Sequence, residues 1–250
     1  LNDFLLDFDA DVEGLANPAQ YSNLLLSPRE WILLSAADRS AFFYIFRFEK
    51  AWRDLQRTQL RHPITGRRLA LATIGMGLKP AVTITLHLHR NLLRSQSASG
   101  LRVIPAPRDE AEYEPEPIEL ADTGPGLEAE LEVRRDRCTP FLAGSREAWL
   151  AFIDDLRVTK IVSEEAAQWM INSTDRLLQA AERRYAAAGW PGETLGESQV
   201  ELLSLGERVN GAYGRRELPE GYLHNLVDLG LHLAGADAPS FEHKAIFQGR

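Results

Sequence analysis

Cysteine is almost missing from this chain of 250 residues: Cys138 is the only one. A single thiol excludes a disulfide framework and a cysteine-cluster metal site, and it fits a reducing, cytoplasmic setting. Long apolar runs are missing too, so nothing reads as a membrane-spanning segment. Leu1 is not an initiator methionine, which leaves a processed leader open. Catalytic signatures are likewise wanting. There is no Gly-x-Ser-x-Gly elbow and no His-Glu-x-x-His pair, and Gly75-Met76-Gly77 lacks the strand, Gly-rich loop and helix of a phosphate site. Asp7, Asp9, Asp11 and Glu13 resemble a calcium loop, but Val12 stands where the tight turn needs Gly and Pro18 where the loop needs Glu. Cys138 has no evident base nearby in sequence. These absences point away from an enzyme and from a cofactor.

What is present is charge, unevenly spread. The net charge of −8 conceals −5 over residues 1–14, +9 over residues 15–104 and −10 over residues 109–132. Arginine supplies 24 of the 28 basic residues, a side chain suited to planar, bidentate contacts. A basic region of this size can engage phosphate whatever the overall charge, although charge runs also serve merely to solvate a surface.

The pattern of apolar residues predicts an α+β chain that is mainly helical, with long amphipathic helices and a small antiparallel β component. Ser27-Pro28-Arg29-Glu30 reads as a helix start, with Ser as cap, Pro in the first position and Glu reaching back. Phe42, Ile45, Phe46, Trp52 and Leu55 recur at helical spacing, predicting a helix over 37–61 that His62-Pro63 ends, after which Thr65-Gly66-Arg67-Arg68 reads as a turn with basic shoulders. Period-two alternation predicts a strand over 81–89, with further strands near 101–104 and 129–134. Residues 145–156 read as a short helix. A helix of about 26 residues, roughly 39 Å, is predicted from Ser163 to Gly189. Two more follow over 198–213 and 223–233. The Pro-rich acidic stretch 105–126 reads as a loop or linker between a basic region (1–104) and a helical region (127–250), or as an insertion in one domain.

The arginines are the leading functional candidates. Arg47, Arg53, Arg57, Arg61, Arg67 and Arg68, with Arg90 and Arg94 beyond the predicted strand, form a nucleic-acid-binding set, since guanidinium groups contact phosphates and stack on bases. The acidic stretch would then compete with phosphate for that surface or dock a basic partner. A second reading makes the chain a protein–protein subunit whose partner covers the aromatic surface of 42–52. A third places a metal on His87 and His89, two apart on one strand and so on one face; the hydrolase that this implies lacks further ligands.

The stretch YIFRFEKAWRDLQ (44–56) resembles the aromatic–Arg–hydrophobic–Glu helix of an uncharacterised protein family encoded in integrating conjugative elements. Residues 146–185 resemble that family's order of helix, connector and long amphipathic helix. GERVNGAYGRRELPEGYL (206–223) is similar to its closing segment. One motif departs: a strand like TITLHLH (83–89) opens the family's pattern, whereas here it follows the Arg–Glu segment. The resemblance carries no catalytic residues. It implies a neighbourhood of partition, single-strand-binding and topoisomerase genes, and hence DNA maintenance or transfer in bacteria.

Overall fold

The computed structural model describes residues 15–16, 20, 24–48, 57–75, 80–94, 102–103, 118–119, 124–190, 192, 196–204, 207–218 and 221. Arg53, the acidic segment 1–14, most of 105–123 and the helix expected over 223–233 lie outside them.

The chain is not mainly helical. Three α-helices accompany ten strands, all antiparallel, in two three-stranded and two two-stranded sheets among the described residues. The first strand, β1 (Glu30–Ala37), begins where a helix was expected. Glu30 does reach back to the Ser27 amide, at 2.8 Å. The intervening Pro28-Arg29 nevertheless forms a tight turn, with Arg29 at φ 65°, the arrangement of Pro followed by a left-handed residue that reverses a chain. Trp31 to Ala37 then extends along β7 (Asp155–Ser163), pairing Glu30 with Ser163 and Ala37 with Leu156. Its run of adjacent buried residues, Ile32 to Ser35, reflects burial on both faces, which erases any periodicity.

The expected 145–156 helix is instead β6 (Glu147–Phe152), joined to β7 by a two-residue turn at Ile153-Asp154. The sheet order is β1-β7-β6. Where a single helix was predicted over 37–61, residues Phe42–Ile45 make one 3₁₀ turn, and Arg57–Arg61 forms β2, paired with β3 (Arg68–Ala70).

The predicted strand at 81–89 is a helix, α1 (Ala81–Arg94). Its buried residues are Ala81, Thr85, Leu86, His89, Arg90, Leu92 and Leu93, a stripe of helical period. The alternation over 82–88 is a short coincidence that Leu92 and Leu93 break. Strand β4 (Arg102–Val103) pairs with β5 (Ile118–Glu119). No strand forms over 129–134, where a 3₁₀ turn (Ala129–Leu131) leads into a single bridge from Glu132 to Trp149.

The long helix divides into α2 (Glu164–Met170) and α3 (Arg176–Ala187). Ser163 caps α2, accepting from the Ala166 amide, and Gly189 ends α3 at φ 68°, as the sequence predicts. The break comes from Asn172-Ser173-Thr174-Asp175, side chains that compete for backbone hydrogen bonds. Asn172 takes φ 63° and Asp175 caps the new helix through the Leu177 amide. The expected 198–213 helix is a meander of β8 (Glu201–Ser204), β9 (Glu207–Asn210) and β10 (Arg215–Glu217).

The core lies between the β1-β7-β6 sheet and helices α1 and α3. Leu86, Leu92 and Leu93 from α1 meet Leu178, Ala181 and Tyr185 from α3 and Trp149, Leu156 and Val158 from the sheet. On the other face Ile32 and Leu34 pack on Val209 of the meander. Its approach is close at Gly211, where any Cβ would fall on the Ile32 carbonyl. Among the described residues no helix is long and apolar enough to cross a membrane.

Candidate nucleic-acid interface

Strands β2 and β3 form a two-stranded ribbon, and its residues explain its shape. His62-Pro63-Ile64-Thr65-Gly66 closes the turn. Gly66 sits at φ 64°, and the His62 ring nitrogen Nδ1 accepts from the Thr65 amide at 3.1 Å. The Arg61 guanidinium donates to the Gly66 carbonyl at 2.9 Å, and the His62 amide donates to the Arg67 carbonyl at 2.8 Å. The root is anchored by a second pairing, with Arg47 bridging Thr73 and the Ile74 amide donating to Phe46. Ile74 and Phe42 are buried there. From Gln59 to Ala72 every side chain is exposed except that of His62, which is half-buried. The ribbon therefore stands off the core.

Its charge is of one sign. No Asp or Glu occurs anywhere from 55 to 108, and Arg57, Arg61, Arg67 and Arg68 all fall on the ribbon. Arg61 and Arg68 are direct cross-strand partners. Like charges placed opposite one another repel and cost stability, a cost that an anion between them relieves. The guanidinium groups of Arg47, Arg67 and Arg68 are exposed and make no ion pair among the described residues.

Arg90 and Arg94 do not join this surface. Both lie on α1 against the fully buried carboxylate of Glu132. Arg90 Nε is 2.9 Å from Glu132 Oε1, and Arg94 is paired with Oε2. Burial lowers the Arg90 pKa, while the Glu132 carboxylate opposes that shift. Glu132 lies beyond the basic region, and nothing in the spacing of Arg90 and Arg94 points to it.

The two histidines also part company, because a separation of two residues on a helix puts them on different sides. His87 is exposed and bonded to Asn91. His89 is buried with both ring nitrogens used: Nδ1 donates to the Ile153 carbonyl at 2.8 Å, and Nε2 accepts from the Tyr185 hydroxyl at 2.6 Å. Burial pushes its pKa down to about 4, with Arg39 and Arg90 adding to the effect against the Ile153 bond. The shared metal face expected of His87 and His89 therefore does not form. Around His89 lie Phe42, Trp190 and Tyr185, and Arg39 stacks 4.2 Å over the Tyr185 ring while pairing with Glu182 at 3.0 Å. Sequence reasoning missed this cluster, since its members come from four separate segments.

Asp38, Asp154 and Asp155 gather on the side near the β6–β7 turn. Burial raises the Asp154 pKa, and the neighbouring Asp38 and Asp155 carboxylates act in the same direction. Arg157 counters Asp155 at 2.8 Å. No protein-family model and no curated protein matches this chain.

Proposed function

We propose that this chain is a non-enzymatic accessory protein of mobile-element DNA maintenance or transfer, acting in the cytoplasm and binding nucleic acid through the β2–β3 ribbon. The observation that carries the reading is a two-stranded arm on which Arg61, Arg67 and Arg68 are exposed and no acid occurs. Arg61, Arg67 and Arg68 supply the phosphate contacts, with Arg47 at the root. Arg90 and Arg94 act within the fold. The mobile-element setting rests on the resemblance of residues 44–56, 146–185 and 206–223 to the conjugative-element family.

Fluorescence anisotropy of labelled single-stranded DNA, duplex DNA and RNA, titrated from low to physiological salt, tests the reading. Binding should weaken steeply with salt. In an Arg61→Ala/Arg67→Ala/Arg68→Ala variant the log–log salt slope should fall by roughly two to three, at about 0.7–0.9 per phosphate. Absence of binding at low salt would overturn it.

A second reading, a subunit of a larger bacterial assembly, is favoured by apolar exposure: Leu60, Ile64, Leu69 and Leu71 on the ribbon, and Trp169, which is 87% exposed, on α2. Apolar side chains gathered on one protruding element suit a protein partner. Co-purification of a stoichiometric partner without salt-dependent nucleic-acid binding would establish it.

A further inference from the structure

We infer that the ribbon is built for the major groove of B-form duplex DNA, an inference that rests on the proposed nucleic-acid reading and narrows its ligand. Three observations carry it. The first is shape. Two strands about 4.8 Å apart with side chains on either side match a groove about 12 Å wide, which admits a two-stranded ribbon. The A-form RNA duplex offers only a deep, narrow major groove that side chains do not enter.

The second is composition. Residues 57–75 contain no Phe, Tyr or Trp. Non-specific capture of single strands relies on aromatic rings against which successive bases stack, and this arm's one ring, the His62 imidazole, is half-buried and bonded into the turn through Nδ1. Its side chains are instead those that read groove edges. Arginine bonds the O6 and N7 acceptors of guanine in pairs, and apolar groups meet the thymine methyl.

The third is placement. Arg61 and Arg68 lie directly opposite one another and so share one face of the ribbon. Arg67 adjoins the turn, and Ile64 stands at its tip, 88% exposed. An isoleucine at the tip of a charged arm is unfavourable in water, and a thymine methyl in the groove offers it an apolar contact. In the groove one flanking guanidinium takes a guanine edge and the others take phosphates on the walls, while the tip meets a thymine methyl.

The test uses the full chain with a mixed-sequence DNA duplex, each of its separated strands and the corresponding RNA duplex. Duplex DNA should bind about tenfold or more tightly than either strand or the RNA duplex, the margin one bidentate base contact supplies. Dimethyl sulfate footprinting should show protection of guanine N7, in the major groove, with adenine N3, in the minor groove, still reactive. An Ile64→Asp variant, folded as judged by circular dichroism, should lose most of the duplex preference. Equal or tighter binding of single strands or RNA, or protection confined to adenine N3, would overturn the duplex assignment. In that case salt-dependent binding lost in the triple-alanine variant would leave the general reading standing. If the triple-alanine variant binds duplex DNA as the parent does, the ribbon is not the interface and both fall.

Discussion

The hydroxyl of Tyr185 donates to Nε2 of His89 across 2.6 Å, and together with the Arg184 guanidinium, which donates to the Leu92 carbonyl at 3.1 Å, it ties α3 to α1. Because Nδ1 must donate to the Ile153 carbonyl, which can only accept, the neutral tautomer is set with Nε2 as the acceptor, and burial disfavours a second proton there. The pair is thus a structural hinge-pin between the helices and the β6–β7 turn, at the place where the sequence suggested a metal.

A pH dependence follows. The folded-state pKa of about 4 lies below the ordinary 6.5 of an unfolded histidine. Between these values the unfolded chain binds more protons, so stability rises with pH; the contribution is complete above about pH 6.5 and is lost as pH falls toward 4. The difference amounts to roughly 3 kcal/mol. Urea unfolding at pH 7 and pH 4.5 measures it, and His89→Gln should flatten that part of the profile.

Glu132 holds two cations at once. Removing its charge as Glu132→Gln leaves Arg90 and Arg94 facing each other in a buried setting, with an expected loss of about 3–5 kcal/mol. Chemical denaturation reads this directly. The Arg61→Ala/Arg67→Ala/Arg68→Ala variant should shift stability by only about 0.5 kcal/mol, as for exposed sites.

Asp175 serves both as the cap of α3 and as partner to Lys160, at 2.7 Å. Asp175→Ala should cost about 2–3 kcal/mol. Asp175→Asn, which keeps a good cap and discards the ion pair, should recover part of that loss in the same thermal or urea measurement.

Gly211 and Gly66 should behave differently. At Gly211 a methyl group would land on the Ile32 carbonyl, backbone against backbone, so Gly211→Ala should cost about 3 kcal/mol. At Gly66 the space is open and only the left-handed backbone resists, so Gly66→Ala should cost about 1 kcal/mol. Comparing the two midpoints separates crowding from backbone strain.

Some of this was legible in the residues. The Ser163 cap with Glu164 and Glu165 behind it starts a helix, and Gly189 stops one, because both signals are satisfied by neighbours within a turn. The run of arginines and its lack of acids are facts of order along the chain, and so is the turn at Thr65-Gly66. Elements whose hydrogen bonds close far away were misread. Residues 30–37, 147–152 and 201–210 carry apolar residues at spacings a helix also accepts, and buried strands flanked on both faces lose the alternation that would mark them.

Order along the chain thus determined the charge asymmetry, the local caps and the basic turn, since each depends on adjacent residues alone. Tertiary structure decided which arginines are free to act. Arg90 and Arg94 look like Arg61 and Arg68 in sequence, but α1 holds one pair against the buried Glu132 carboxylate while the ribbon lifts the other into solvent. The physical reason is that a charge's role depends on its counter-charge and its solvent, and both are set by segments distant in the chain.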